Sequence, residues 1–314
     1  MTSIPSPRVR PISVHPGAPK LSTSVLIAIT VTVLAWSSAF IVIRGVAPHF
    51  GGGALALARL AVGTAVLSLL LIGHRWVRPN AREWLQIIVF GLAWFAAYNV
   101  TLNLAEHSLD AGTTAMLVGT GPILIALGAG IFLGDGIPKW LAIGAGVAFL
   151  GVVLIGISSG LTGLGDGTGV IWSVVAALAY SIGVLCQKPT LRRLPNRQVT
   201  FLGCAIGALA CTPFAGELFG DLSSAPASSV LGAVYLGVVP TAIAFSTWTF
   251  ALSRMSAGSL AVTTYIVPAL VVIEAFLLFR EVPAPIAVVG GVVCLVGVAL
   301  SRRRSRTPAT TDGS

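Results

Sequence analysis

The chain has 314 residues, of which 55% are hydrophobic and only 9% are charged, and its mean hydropathy is +0.94. Soluble domains carry roughly a quarter charged residues, so this composition excludes ordinary soluble domains. The net charge of +9 indicates nucleic-acid binding only where the basic residues share one solvated face. They are instead spread over many loops, and no nucleic-acid partner is expected.

Long charge-free stretches follow one another from residue 24 to residue 301. An α-helix needs ~20 apolar residues to cross ~30 Å of hydrocarbon, whereas a transmembrane barrel shows short alternating segments. The sequence therefore predicts an all-α polytopic membrane protein with ten transmembrane helices, of which the second must accommodate Arg59 and the ninth Glu274. The predicted spans are 24–44, 52–73, 84–105, 111–134, 139–157, 168–188, 198–217, 230–252, 258–280 and 283–301.

Loop charge predicts the orientation, because Lys and Arg near helix ends stay in the cytoplasm. With ten spans, all of the 19 lysines and arginines except Arg44, Arg59 and Arg280 fall on one side. Both termini are therefore expected on the cytoplasmic side of the cell (inner) membrane. They are predicted to be a disordered tail at 1–23 and a basic tail at 302–314.

The chain contains an internal duplication. Residues 90–154 align without a gap with residues 236–300, which pairs Pro122 with Pro268. Each copy holds five predicted helices, so the second copy enters the membrane from the opposite side. Such inverted repeats are typical of secondary transporters with alternating access, although a duplication that only built a stable bundle is the alternative. The predicted domains are a first repeat at 24–157, an external linker at 158–167 and a second repeat at 168–301.

Several polar and aromatic residues share one depth near the middle of the predicted spans. At a rise of about 1.5 Å per residue, Arg59 lies ~5 Å and Glu274 ~9 Å to the outer side of the bilayer centre. Arg59 is expected to line a wet cavity, to form a structural ion pair with Glu274, or to extend to the outer headgroups. The candidate cavity residues are Trp36, Ser38, Arg59, Tyr98, Asn99, Thr120, Tyr180, Thr264 and Tyr265.

Three further roles follow from residue type and position. A carboxyl inside the membrane is a natural proton carrier, which makes Glu274 the candidate for proton coupling. Trp36 and Tyr180 occupy equivalent positions of the two repeats and are expected to grip a flat or cationic substrate or to fill space between helices. Pro122 and Pro268 are the candidate helix bends, because proline frees a backbone carbonyl.

Catalytic and metal-binding motifs are missing from the sequence. The four cysteines fall inside apolar runs, and no P-loop, HExxH or CxxC motif occurs. Neither an enzyme nor a metal or cofactor site is therefore expected.

Short motifs in both repeats resemble a known family. The first repeat carries AWSSAF at 35–40 before Arg44, then Ala111-Gly112, Pro122 and Gly134-Asp135, and the second carries Ala257-Gly258, Pro268 and Glu281. They resemble the two EamA repeats of the drug/metabolite transporter superfamily, over about residues 24–301. The resemblance implies ten helices, a central cavity between the repeats and export of a small metabolite or drug. Asp135 and Arg280 depart from the commoner pattern, at helix ends only.

The sequence thus predicts a secondary transporter that exports a small metabolite, an amino-acid-like compound or a drug by alternating access. Two alternatives stay open: uptake or exchange of a sugar or nucleotide-linked solute, and a non-transporting membrane scaffold or sensor subunit. The expected partners are a small-molecule substrate and the lipid bilayer, while protons as the coupling ion and a homodimer stay open.

Overall fold

The fold is described from a computed structural model over residues 22–132, 139–161 and 167–301. These residues form helices joined by short connections, with no β-strand among them. Outside the described residues lie 1–21 of the predicted N-terminal tail, the predicted C-terminal tail, 162–166 of the predicted linker, and Asp135. The α-helices are α1 Thr23–Val46, α2 Gly52–Leu69, α3 Ala81–Phe90, α4 Tyr98–Ser108, α5 Ala111–Val118, α6 Gly121–Phe132, α7 Lys139–Leu161, α8 Thr168–Thr190, α9 Asn196–Ala210, α10 Ala215–Ser224, α11 Ala227–Leu236, α12 Ala244–Arg254, α13 Ala257–Ala261, α14 Ile266–Phe279 and α15 Pro285–Ser301.

Seven helical segments in the described ranges are long and apolar enough to cross a membrane, and they correspond to predicted spans one to four, six, eight and nine. The seventh predicted span falls on α9 and α10, which are bent by 49°. The fifth and tenth fall on α7 and α15, whose apolar parts Ala142–Ile155 and Pro285–Gly297 are shorter. The chain is therefore an all-helical, multi-pass membrane protein.

The duplication seen in the sequence reappears in the local structure. A π-helical segment, Gly91–Ala97, joins α3 to α4, and a second, Gly237–Ile243, joins α11 to α12 at the equivalent position. The contacts correspond as well, since α1 packs on α12 and α14 while its counterpart α8 packs on α4 and α6. The two copies therefore share both their helix breaks and their packing partners.

A basic residue caps the C-terminal end of an equivalent helix in each repeat. Arg44 donates from Nη1 to the Glu106 carbonyl at the end of α4, at 3.2 Å. Its counterpart Lys188 donates to the Leu252 carbonyl at the end of α12, at 2.5 Å. Cations are favoured there because the last carbonyls of a helix lack intrahelical donors. Arg44 also forms an ion pair with Glu281, at 2.8 Å from Nε to Oε1, which joins the first repeat to the second.

Glycines set the distance between α7 and α15. A Cβ atom at Gly151 would lie 2.5 Å from the Gly290 carbonyl oxygen, and one at Gly297 would lie 2.5 Å from the Ala148 nitrogen. Because the atoms in the way belong to the backbone, no side-chain rotation can make room for a methyl group. Close approach through small residues is a common way to pack helices in membranes, and here it joins the last helix of one repeat to the last helix of the other.

Candidate functional site

One cavity lies among helices of both repeats. Its empty space, counted together with its open mouth, is about 600 Å³. Its walls come from α1, α2, α4, α5, α8, α12, α14 and the π and 3₁₀ segments beside them. Aromatic and aliphatic side chains make most of the wall. Six of the residues singled out in the sequence line this cavity: Trp36, Arg59, Tyr98, Tyr180, Thr264 and Pro268.

The other candidates lie outside the cavity wall. Ser38 hydrogen-bonds the Tyr235 hydroxyl at 2.8 Å, and Tyr265 packs against Ile123 and Ala148. Thr120 donates to the Leu117 carbonyl at 2.7 Å, beside the gap between α5 and α6.

A break in the regular α-helix lies a few residues before each of the two candidate prolines. Pro122 is the second residue of α6, and α5 ends four residues earlier at Val118. Pro268 lies in the first turn of α14, which a 3₁₀ turn, Val262–Tyr265, joins to α13. Proline is tolerated in the first turn of a helix, where its missing N–H would have no partner. The backbone irregularities next to both prolines border the cavity, since Gly119 and Thr264 line it.

The buried amide of Asn99 serves the first π segment. Its Nδ2 donates to the Phe95 carbonyl at 2.7 Å and to the Trp94 carbonyl at 3.3 Å. A π turn displaces the regular i to i−4 bonds, and a carbonyl in hydrocarbon needs a donor. Asn99 thus stabilises the irregular backbone that carries Trp94, while its side chain does not reach the cavity.

Arg59 is almost completely buried, at 2% exposure, and it faces the cavity. Its Nε donates to the Thr241 hydroxyl at 3.1 Å, which in turn donates to the Leu236 carbonyl at 2.8 Å. Thr241 belongs to the second π segment, and Pro240, which has no N–H, favours the irregular backbone there. A Cβ at Gly63 of α2 would lie 2.7 Å from Thr241 Cγ2, so this glycine allows the close approach that brings the two side chains together.

Arg59 and Glu274 do not form an ion pair in this structure. Glu274 is half-buried on α14 and accepts a hydrogen bond from the Ser37 hydroxyl at 2.9 Å, which links α14 to α1. No described carboxylate lies within ion-pairing distance of Arg59, and its Nη1 is buried without a hydrogen-bond partner there. The Arg59 side chain therefore neither pairs with Glu274 nor extends to the headgroups. It is buried and turned toward the cavity.

A cluster of aromatic rings forms part of the cavity wall. Trp94 contacts Trp36 at 5.9 Å, Tyr180 at 4.9 Å and Phe245 at 4.9 Å between ring centroids. Such edge-on and tilted pairs are favourable beyond the area they bury. Sequence reasoning missed Trp94 and Phe245, although Trp94 precedes Tyr98 by four residues, about one turn of the same continuous helix.

Glu106 is a second buried carboxyl that sequence reasoning missed. It has no exposed surface, and neither carboxylate oxygen has a hydrogen-bond donor among the described residues. It follows Tyr98 and Leu102, which both line the cavity, at intervals of four residues on the same face of α4. That spacing was the available signal, since residues four apart share a helix face.

Comparison with known proteins decides the family. Residues 23–157 and 167–303 each match the family described as "EamA-like transporter family". The chain belongs to this family. As an EamA-like transporter it is also a member of the drug/metabolite transporter superfamily, and it carries the two EamA repeats expected from the sequence.

Several relatives of this EamA-like chain are named as transporters. It is 32% identical to a "probable terminal-alkyne amino-acid exporter" of Streptantibioticus cattleyicolor, over 94% of this chain and 99% of the relative. It is 30% identical to the uncharacterized transporter YdfC of Bacillus subtilis, over 90% and 92% of the two chains. A solved crystal structure of another protein, 19% identical, matches the fold with a TM-score of 0.62 over 89% of this chain and 97% of that one.

Proposed function

We propose that this protein is a secondary transporter that exports a small metabolite, an amino-acid-like compound or a drug. The observation that carries the proposal is the cavity shared by the two repeats, into which Arg59 points, a buried arginine with no carboxylate partner among the described residues. Intramembrane charges without a structural partner are typical of substrate pathways. The relative named as an amino-acid exporter supports the direction and the size of the substrate.

The transport mechanism that we infer is alternating access between two inverted five-helix repeats. With ten spans, both termini and the basic loops would lie on the cytoplasmic side, as loop charge favours. The π segments occupy equivalent positions in the two repeats. α1 of the first repeat packs on helices of the second, and α8 of the second packs on helices of the first. Both features support two halves that rock about a central site. The Arg44–Glu281 ion pair would then join the repeats on the outer side.

The two alternative functions are less well supported. A nucleotide-linked or phosphorylated substrate carries several negative charges, whereas Arg59 is the one cation among the described residues that line the cavity. A scaffold or sensor subunit has no need for a cavity into which a buried guanidinium points. Its relatives would not be expected to be named as transporters.

Efflux from proteoliposomes tests transport and its coupling together. Vesicles containing the purified protein are loaded with a mixture of amino acids, and the external medium is made acidic. We expect efflux of at least one compound, faster with the pH gradient than without it. In Glu274→Gln, whose side chain cannot carry a proton, we expect efflux that no longer responds to the gradient.

The outcomes separate transport from coupling. No efflux above protein-free vesicles, for this mixture or for a loaded extract of small metabolites, would contradict the transporter proposal. An unchanged response to the gradient in Glu274→Gln would remove the proton role from this residue. Glu106→Gln is the matched comparison, because it neutralises another helical carboxyl that has no hydrogen-bond donor among the described residues.

A further inference from the structure

Two loops on one side of the helix bundle are held against each other. Residues 70–80 join α2 to α3, and residues 191–195 join α8 to α9. The buried side chain of Gln198, in the first turn of α9, accepts a hydrogen bond from the Val77 nitrogen at 3.0 Å and donates one to the Val77 carbonyl at 2.6 Å. These two bonds fix the first loop to the start of α9.

Arg193 links the same two loops at a second point. It forms an ion pair with Glu83 in the first turn of α3, and its Nη2 donates to the Arg78 carbonyl at 2.8 Å. Glu83 also accepts a hydrogen bond from the Asn80 nitrogen at 2.8 Å, as part of the cap of α3. The loops therefore have a fixed shape, and a ligand that binds them does not have to order them first.

The surface made by the two loops is strongly positive. Its exposed arginines, which lie in the loops or in the first turns of α3 and α9, form what we call the basic surface: Arg75, Arg78, Arg82, Arg192, Arg193 and Arg197. Glu83 is the one acid within residues 70–84 and 190–198 of the sequence, and it pairs with Arg193. Arg197 contacts the His74 ring. Because like charges on one surface repel one another, the basic surface is suited to an anion.

The basic surface lies where the apolar part of the bundle ends. Its loops are continuous with the membrane-crossing segments Gly52–Leu69, Ala81–Ser108 and Thr168–Thr190. Trp76 and Trp84 lie beside the arginines in the chain and are 48% and 38% exposed. Tryptophan is enriched at the level of the lipid headgroups, so the anion that meets these arginines is the phosphate group of a membrane lipid.

We propose that the basic surface binds the headgroup of an anionic phospholipid, with the phosphate group between arginines of the two loops and the acyl chains beside the exposed Trp84 and Leu85 of α3. Arginine suits this role because its planar guanidinium donates two parallel hydrogen bonds to phosphate oxygens. A zwitterionic headgroup brings its own cation to the positive surface, so an anionic lipid binds more tightly. The site lies outside the cavity and does not depend on the proposed export function.

Native mass spectrometry of the purified protein tests this lipid site. The protein in detergent is titrated with phosphatidylglycerol and with phosphatidylcholine of identical acyl chains. The wild-type protein is expected to bind phosphatidylglycerol about ten-fold or more tightly, and Arg75→Gln/Arg78→Gln/Arg192→Gln about two-fold or less. These three side chains are exposed and have no hydrogen bond to another described residue, so this variant is expected to keep the wild-type midpoint of thermal unfolding without added lipid.

A second triple variant is the matched control. Lys139→Gln/Arg254→Gln/Arg280→Gln removes the same charge from exposed residues outside the basic surface, of which Arg254 lies over the Phe250 ring. It is expected to keep the wild-type preference for phosphatidylglycerol.

Four results would overturn the proposal. They are equal binding of the two lipids by the wild-type protein, a wild-type preference in the first triple variant, and an equal loss of preference in both triple variants. The fourth is displacement of phosphatidylglycerol by inorganic phosphate beyond that caused by potassium chloride of equal ionic strength, because the site would then take a free anion rather than a lipid.

Discussion

Replacement of Trp94 by alanine is expected to destabilise the protein by ~3–5 kcal/mol, the usual range when a buried aromatic ring leaves a cavity. Trp94 is 1% exposed, so the loss of its ring would leave its neighbours without packing partners. The rings within 4.9–6.0 Å of it are those of Trp36, Phe90, Tyr180, Phe245 and Trp248. The measurement is the midpoint of thermal unfolding of the purified protein in detergent, expected to fall by about 5 °C or more.

Trp84 provides the matched control for this experiment. It lies in α3 of the same continuous helix but is 38% exposed, so Trp84→Ala is expected to change the midpoint little. Trp94→Phe retains a ring and is expected to fall between the two alanine variants. Equal midpoints for Trp94→Ala and Trp84→Ala would show that the ring cluster does not hold the two repeats together.

A methyl group at Gly151 is expected to separate α7 from α15. The added Cβ of Gly151→Ala would lie 2.5 Å from both the Gly290 carbonyl oxygen and Cys294 Sγ. Because the Gly290 oxygen belongs to the backbone, α7 and α15 would have to move apart to make room for the methyl group. Overpacking of this kind costs ~1–3 kcal/mol. The expected results are a lower unfolding midpoint and a larger aggregated fraction in size-exclusion chromatography.

Gly146 is the matched control on the same helix. It is exposed, and a Cβ there would meet nothing within 4 Å. Gly146→Ala is expected to be neutral or to stabilise α7 by up to about 1 kcal/mol, because alanine has the higher helix propensity. If Gly151→Ala behaves like Gly146→Ala, α7 and α15 are not packed through these glycines.

The helical, multi-pass architecture was largely predictable because apolar length is a property of whole segments. The duplication was visible in paired residues such as Pro122 and Pro268, and the structure repeats it in its helix breaks. Segment patterns do not report where a helix changes its hydrogen bonding. The two π segments were therefore not predicted, and neither was the bend between α9 and α10.

The site was predictable only in part, for a related reason. Depth along a span grouped Trp36, Arg59 and Tyr98, and repeat equivalence added Tyr180. All four line the cavity. Depth does not tell which way a side chain points around the helix. Asn99 follows Tyr98 directly but turns back to the backbone of its own helix.

The same limit applies to the buried acids. Glu274 was expected near Arg59 by depth, but its side chain reaches Ser37 on α1 instead. Glu106 was overlooked because it stands at the end of a predicted span, where an acid usually meets water. In the folded chain the end of α4 is covered by other elements, among them α1 with Arg44.

Export of a defined compound is the central claim, and metabolite profiling of the culture medium tests it most directly. Cells expressing the wild-type protein, Arg59→Gln, Arg254→Gln or an empty vector, at matched protein levels, are compared by untargeted mass spectrometry. An amino-acid-like compound is expected to accumulate outside cells with the wild-type protein and Arg254→Gln, and not with Arg59→Gln or the vector. The same medium composition in all four cultures would contradict export, and equal accumulation with Arg59→Gln would place Arg59 outside the pathway.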